Sequence, residues 1–407
     1  MQSFLSSKGC APLARHARRP AKLDSRHILV VSQATVDGVA VCVRDLVKAA
    51  MQSGYEVTVA CPSAGDLATW VREQGAAWER VEMRRSPHPQ DVFAVLKVRQ
   101  LARTSVLVHL HSSKAGVVGR LAVASLGRRR PACVFTPHGW SWLVGGSLAP
   151  AYRQIERIMF PLATAVVAVS GEERSNGEKV LGPRANKIRV NPNGVDVSRF
   201  CPQGPVAERS GAPLVVSVGR LCHARGPDVA VSALAMMRTP QARLRLVGTG
   251  DDWVAIENRA RDLGVADRVE MVGFRPDPAP EVRAADVVVV PSRYDGMALV
   301  LLEAMACGAA IVATRVPGSS VLEGAGQLVP VEDPRDLARA VDDLLADPDR
   351  RRLLGRAARS RVAELYSLET SLEGILELWR TLGARPVSSD TDREVQVPRT
   401  PAEKKAF

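Results

Sequence analysis

Two arginines five residues apart, Arg220 and Arg225, stand between the apolar run Leu214–Val218 and a helical pattern that starts at Asp228. Two planar guanidinium groups on a strand-to-helix loop can clamp a diphosphate bidentately, and a helix N-terminus behind them adds backbone donors. Solvated surface cations are the plain alternative. Further on, the strand-like run ending at Pro291 leads into Asp295-Gly296 and then into a helix that carries Glu303. Two carboxylates eight residues apart across a helix start suit a hydroxyl-rich ligand held by charge-assisted hydrogen bonds. An N-capping Asp and a surface Glu would give the same spelling. In the first half of the chain, His138 follows a strand-like run and Pro137, flanked by Gly139, Trp140 and Trp142. His111 and Lys114 follow another such run, so all of these fall on loops where α/β sheets bind ligands.

Other patterns carry less chemistry. Gly248-Thr249-Gly250 lacks the third glycine of a dinucleotide fingerprint and reads as a tight turn with close backbone approach. Asp347-Pro348-Asp349 opens a helix among arginines and reads as helix-initiating acids rather than a metal site. The seven cysteines are odd in number and scattered, with no zinc-ligand spacing, which indicates free thiols in a reducing compartment. No metal ligand set and no cofactor motif is expected.

The elements that position these residues alternate. Strands are expected at His27–Ser32, Glu56–Cys61, Val106–His111, Cys133–Thr136 and Ala165–Val169, with one more at Lys187–Val190. After a Pro/Gly-punctuated stretch over 192–213 the pattern restarts, with strands at Leu214–Val218, Arg243–Val247, Val269–Val272, Val287–Val290 and Ala310–Ala313. Helical patterns of 10–15 residues lie between, and three amphipathic helices close the chain. An α/β fold of two doubly wound domains in series follows, spanning 27–205 and 206–366, then a C-terminal helix over 367–385. Residues 1–26 read as a basic disordered leader and 386–407 as a disordered tail.

Taken together and in order, HLHSSKAG (109–116), FTPHGWS (135–141), NPNGVD (191–196), VGRL…RGPD (218–228), VGTG (247–250) and PSRYDGMALVLLEAMACG (291–308) resemble glycosyltransferase family 4 over residues 27–384. That resemblance implies a GT-B fold with two Rossmann-like domains facing across a cleft and the C-terminal helix crossing back to the first. It implies retaining, metal-independent transfer of a hexose from a nucleoside-diphosphate sugar, UDP favoured, to an acceptor hydroxyl in glycan, glycolipid or secondary-metabolite biosynthesis. The nucleotide sugar is then a substrate, not a cofactor. Arg220 and Arg225 would neutralise the donor diphosphate, with Gly38 and the backbone of Met297, Ala298 and Leu299 beside it. Glu303 would hold the ribose, Asp295 and Gly296 would position the sugar, and His138 would meet it near the reacting carbon. His111, Lys114, Trp140 and Trp142 would lie on the acceptor side. Two positions depart from the family pattern, which has Lys where Arg225 stands and Glu where Asp295 stands, and a third departure is Ser319-Ser320-Val321, where an acidic residue is common. A nucleotide-sugar-binding subunit with weak catalysis and a GT-B epimerase are the alternative readings.

The 55 Lys/Arg against 43 Asp/Glu give a net charge of +12, unevenly spread. Residues 1–27 carry +5, 28–208 carry +8, 209–385 carry −1 and the tail is neutral. A diphosphate needs two or three cations, so the excess on the first half calls for an anionic membrane surface or a phosphate-bearing acceptor. Nucleic acid is not expected, because basic and aromatic residues do not interleave. The chain reads as cytoplasmic, with peripheral contact at the inner face of the cell membrane.

Overall fold

The computed structural model describes residues 24–84, 86–144 and 146–386. Most of the expected leader and tail lies outside these residues, but residues 24–26, assigned to the leader, open the first strand. Asp24 pairs there with Ser105.

The first sheet contains β1 (Asp24–Ser32), β2 (Glu56–Cys61), β3 (Ala77–Arg80), β4 (Ser105–His111), β5 (Ala132–Thr136), β6 (Ala165–Ala168) and β7 (Ile188–Val190). They run parallel in the order β3-β2-β1-β4-β5-β6-β7. The second sheet contains β8 (Leu214–Val218), β9 (Arg243–Val247), β10 (Val269–Gly273), β11 (Val287–Val290), β12 (Ile311–Thr314) and β13 (Gln327–Val329). Its order is β10-β9-β8-β11-β12-β13, again parallel.

Parallel strands bury both faces, which explains runs of β-branched residues without polar alternation. Successive side chains in β1 divide between two cores: Leu29 and Val31 join one, Ile28 and Val30 the other. The first core lies under the helices Asp91–Ala102, Ser113–Ala124 and Ala149–Met159. The second lies under the helix Asp37–Gln52 and the C-terminal helix Leu368–Thr381.

The C-terminal helix thus completes the domain in which the chain began. Ser367 caps it, its Oγ accepting from Thr370 N at 3.1 Å. Its Ile375, Leu376, Leu378 and Trp379 are buried in the first domain's core. The two crossings between domains are joined: Val195 N donates to Tyr366 O at 3.0 Å and Leu368 N to Val195 O at 2.9 Å. A polar contact from this strap reaches the donor-side loop, Asn193 Nδ2 donating to Met297 O at 2.9 Å.

Candidate active site

Three loops at the carboxyl ends of the strands meet between the domains. The first follows β8. Gly219 and Gly248 both have strongly positive φ, 150° and 142°, and a side chain on Gly248 would overlap the Gly219 carbonyl. Leu221 N donates to Thr249 O at 2.9 Å. The Gly-x-Gly turn is therefore a support for the arginine loop, as its spelling suggested. Gly226, in the left-handed region with φ 65°, lets that loop pack against Pro291. Asp228 then opens the helix Pro227–Met236 and takes Arg293 bidentately at 2.8 and 2.7 Å. Arg293 also donates to Glu332 at 2.8 Å, and these acids raise its pKa. This network ties the two donor-side loops together. No sequence motif singled out Arg293, because its role is set by partners 65 and 39 residues away.

Arg220 and Arg225 line one cavity with Gly219 and Ser292. Arg220 Nη1 reaches across to Asp37 Oδ2 at 3.3 Å, beside Gly38. Its Nε is buried with no hydrogen-bond partner among the described residues. A buried guanidinium donor left unpaired is costly, so this N–H points to a ligand oxygen. Arg225 pairs with Asp295. Two of the positions that depart from the family pattern therefore touch each other, a longer cation meeting a shorter acid. Asp295 Oδ1 also accepts from Gly296 N at 2.9 Å.

The second loop runs from Asp295 to the helix Leu299–Ala306. A Cβ on Gly296 would lie 2.8 Å from Gly139 N, closer than real side chains approach, so this glycine permits contact between the domains. A Cβ on Gly38 would meet Leu299 at 3.6 Å, placing the first domain's earliest loop over the same helix start. Met297 and Ala298 are buried. Glu303 is held above the usual carboxylate range, at about 7, by burial first.

The third loop holds His138 with φ 53°, a left-handed conformation that costs a non-glycine residue on the order of 1–3 kcal/mol. Glu173 fixes it. Its Oε1 accepts from Gly139 N and its Oε2 from Val169 N, both at 2.6 Å, while its carbonyl accepts Trp140 Nε1 at 2.7 Å. Glu173 is fully buried, and burial lifts its pKa to about 7 against the two backbone donors. The sequence reading missed it; its position three residues after Ser170, in a capping arrangement, was the available signal.

His138 Nε2 lies 3.0 Å from His111 Nδ1 with the rings stacked, and the His109 ring lies tilted against His111 at 4.2 Å. Burial keeps His138 neutral, with a pKa near 4, and His109 near 3. His111 is likewise held well below the ordinary range, and its Nε2 has no partner among the described residues.

Three expected acceptor-side residues are engaged elsewhere. Trp140 and Trp142 stack at 4.5 Å inside the first core, 1% and 4% exposed, because their rings fill volume beside Phe135. Lys114 Nζ is sequestered by Asp91 Oδ2 at 2.5 Å and Ser86 O at 2.8 Å.

Two parallel-sheet domains with a cation-lined cleft at their carboxyl edges are the GT-B arrangement of glycosyltransferases. Residues 36–199 match the family model Glycosyltransferase Family 4 and residues 204–361 match Glycosyl transferases group 1. The chain belongs to this glycosyltransferase family. It is 34% identical to the D-inositol 3-phosphate glycosyltransferase of Nocardia farcinica, over 71% of this chain and 70% of that one. It is 35% identical to a GDP-mannose-dependent alpha-(1-6)-phosphatidylinositol monomannoside mannosyltransferase of Mycolicibacterium smegmatis, over 66% and 72% of the two chains. Among solved structures, sucrose-phosphate synthase from Thermosynechococcus elongatus superposes with a TM-score of 0.75 at 25% identity, covering 88% of this chain and 99% of that one.

Proposed function

We propose that the chain is a retaining glycosyltransferase that moves a hexose from a nucleoside-diphosphate sugar to an acceptor hydroxyl. The observation that carries this is the unpaired, buried Arg220 Nε in a cavity shared with Arg225, opposite the neutral His138. Two guanidinium groups offset the charge that grows on the leaving diphosphate, which is the work a divalent cation does elsewhere. The new C1–O bond to the acceptor forms on the face from which the C1–O bond to phosphate breaks. The acceptor's proton passes to the departing phosphate oxygen, so no protein nucleophile is needed. Glu303 holds the ribose, and the Gly296 backbone with Asp295 positions the sugar. His138, lacking charge, offers a hydrogen bond to a sugar hydroxyl without repelling the oxocarbenium-like carbon.

UDP is the nucleotide favoured by the resemblance, whereas one relative is GDP-mannose-dependent. Titration with UDP- and GDP-hexoses, followed by release assays with glycan, lipid-linked and inositol-phosphate acceptors, decides between them. Proton NMR of the product should show the donor's anomeric configuration, and an inverted product contradicts the retaining chemistry. Nucleoside diphosphate bound without transfer to any acceptor would sink the reading in favour of a binding subunit, for which the Arg225–Asp295 self-pairing is the one structural argument.

A further inference from the structure

The charge excess of the first half lies within residues 91–160, on one layer of helices and the turns that join it to the sheet. Residues 91–160 contain ten Lys/Arg and two Asp/Glu, a net +8, while the rest of 28–208 carries twelve of each. Both acids are already taken inside the fold: Asp91 by Lys114, and Glu156 by Arg120 in a buried bidentate pair at 2.8 Å. Of the other eight cations only Lys97 has an acidic partner among the described residues, Glu79 at 2.8 Å.

The same layer exposes apolar side chains. On the helix Asp91–Ala102, Val92, Phe93 and Leu96 are 61%, 72% and 55% exposed. Leu148, Ile155 and Ile158 are exposed on and just before the helix Ala149–Met159. Both helices flank Ser113–Ala124 over one core, on the sheet face opposite the C-terminal helix. Isolated exposed apolar residues need no explanation, but several on one layer, interspersed with unpaired arginines, do.

We propose that this helical layer docks on an anionic lipid bilayer. Phe93, Leu96, Leu148 and Ile158 insert at the headgroup boundary, and Arg128, Arg129, Arg130, Arg153 and Arg157 meet lipid phosphates. The occupant is argued from charge: seven cations without an acidic partner among the described residues, beside exposed apolar groups, match a surface that is anionic outside and apolar beneath. Across the described residues no helix is long and apolar enough to cross a membrane, so contact is in the interface plane. The loop from His138 runs directly into this layer through Ser141–Val144. The inference concerns where the chain sits and stands apart from the chemistry proposed above.

Vesicle flotation of the full chain tests it, comparing phosphatidylcholine alone with phosphatidylcholine plus phosphatidylglycerol. The chain should float with the anionic vesicles only and be released by salt. Arg128→Gln/Arg129→Gln/Arg130→Gln should weaken binding on the order of a hundredfold, each charge being worth roughly fivefold. Phe93→Ser/Leu96→Ser should also release it, with an unchanged melting temperature and unchanged nucleoside-diphosphate binding in both variants. Equal flotation with both vesicle types would overturn the proposal. So would binding that survives both substitutions, which would assign lipid contact to residues 1–23. Failure to bind either vesicle type would overturn it too, and leave an acidic protein as the partner of this layer.

Discussion

The Arg225–Asp295 contact turns two separate departures from the family pattern into one exchange. Arg reaches further than Lys and Asp is one methylene shorter than Glu, so the pair keeps its span while the cation's position changes. Arg225→Lys and Asp295→Glu should each lower kcat/KM, and the double variant should recover most of the loss, with a coupling of roughly tenfold. Additive losses in the double-mutant cycle would show that the two side chains act independently. The histidine stack gives a pH expectation. His109 has a folded pKa near 3, below its unfolded value, so its contribution to stability is full above about 6.5 and is lost as pH falls through 3. His109→Gln keeps an acceptor for Trp379 Nε1 and a donor for Thr136, and should flatten the decline of the urea midpoint across that acid range. An equally steep decline in the variant would assign the acid sensitivity to other groups. Glu173 has the opposite sign: its contribution is full below its unfolded pKa and is lost as pH rises through about 7.

At the level of elements, Trp379 joins the C-terminal helix to the site. It is fully buried, meets Tyr55 edge-on, and donates to His109 Nδ1 at 3.2 Å. Trp379→Ala should cost about 3–5 kcal/mol in a chemical denaturation curve. Trp379→Phe should cost less while leaving His109 Nδ1 without its donor, and an Ala variant as stable as the parent would mean the helix is not anchored there. Most strands were legible from β-branched runs: β2, β8, β9 and β11 begin and end where the sequence reading put them. The strands it missed, β3 and β13, are short edge strands with half-exposed side chains, so neither apolar runs nor clean alternation marks them. The helices Asp91–Ala102 and Ser113–Ala124 also escaped explicit placement, the first because its outer face is as apolar as its inner one. The structure brings together the arginine and Asp295 loops, whose residues local spacing singles out. Glu173 and Arg293 were not legible, since their partners come from distant segments, and the tryptophans misled because aromatic residues beside a loop serve a core as readily as a ligand.

For the whole molecule, the cleft is bounded by glycine against glycine. Gly296→Ala would push a methyl group to 2.8 Å from Gly139 N and 3.1 Å from the His138 carbonyl carbon, holding the domains apart. Transfer should fall roughly a hundredfold, as expected when reacting groups are displaced by about an ångström. Nucleoside-diphosphate affinity should hold, since both arginines sit on the second domain, and small-angle scattering should show a larger radius of gyration. Wild-type turnover in this variant would mean the two loops need not touch during the reaction.

The return of the last helix to the first domain also has a consequence in time. The first sheet ends at Val190, yet its core lacks Ile375, Leu376, Leu378 and Trp379 until the chain reaches Thr381. At the ribosome's 5–20 residues per second, the intervening stretch takes about 10–40 s to make. Throughout that interval the core that includes Tyr55, Val57 and Val167 has the helix Asp37–Gln52 over it but not the C-terminal helix. The first domain's core is therefore complete only once the whole second domain has been made.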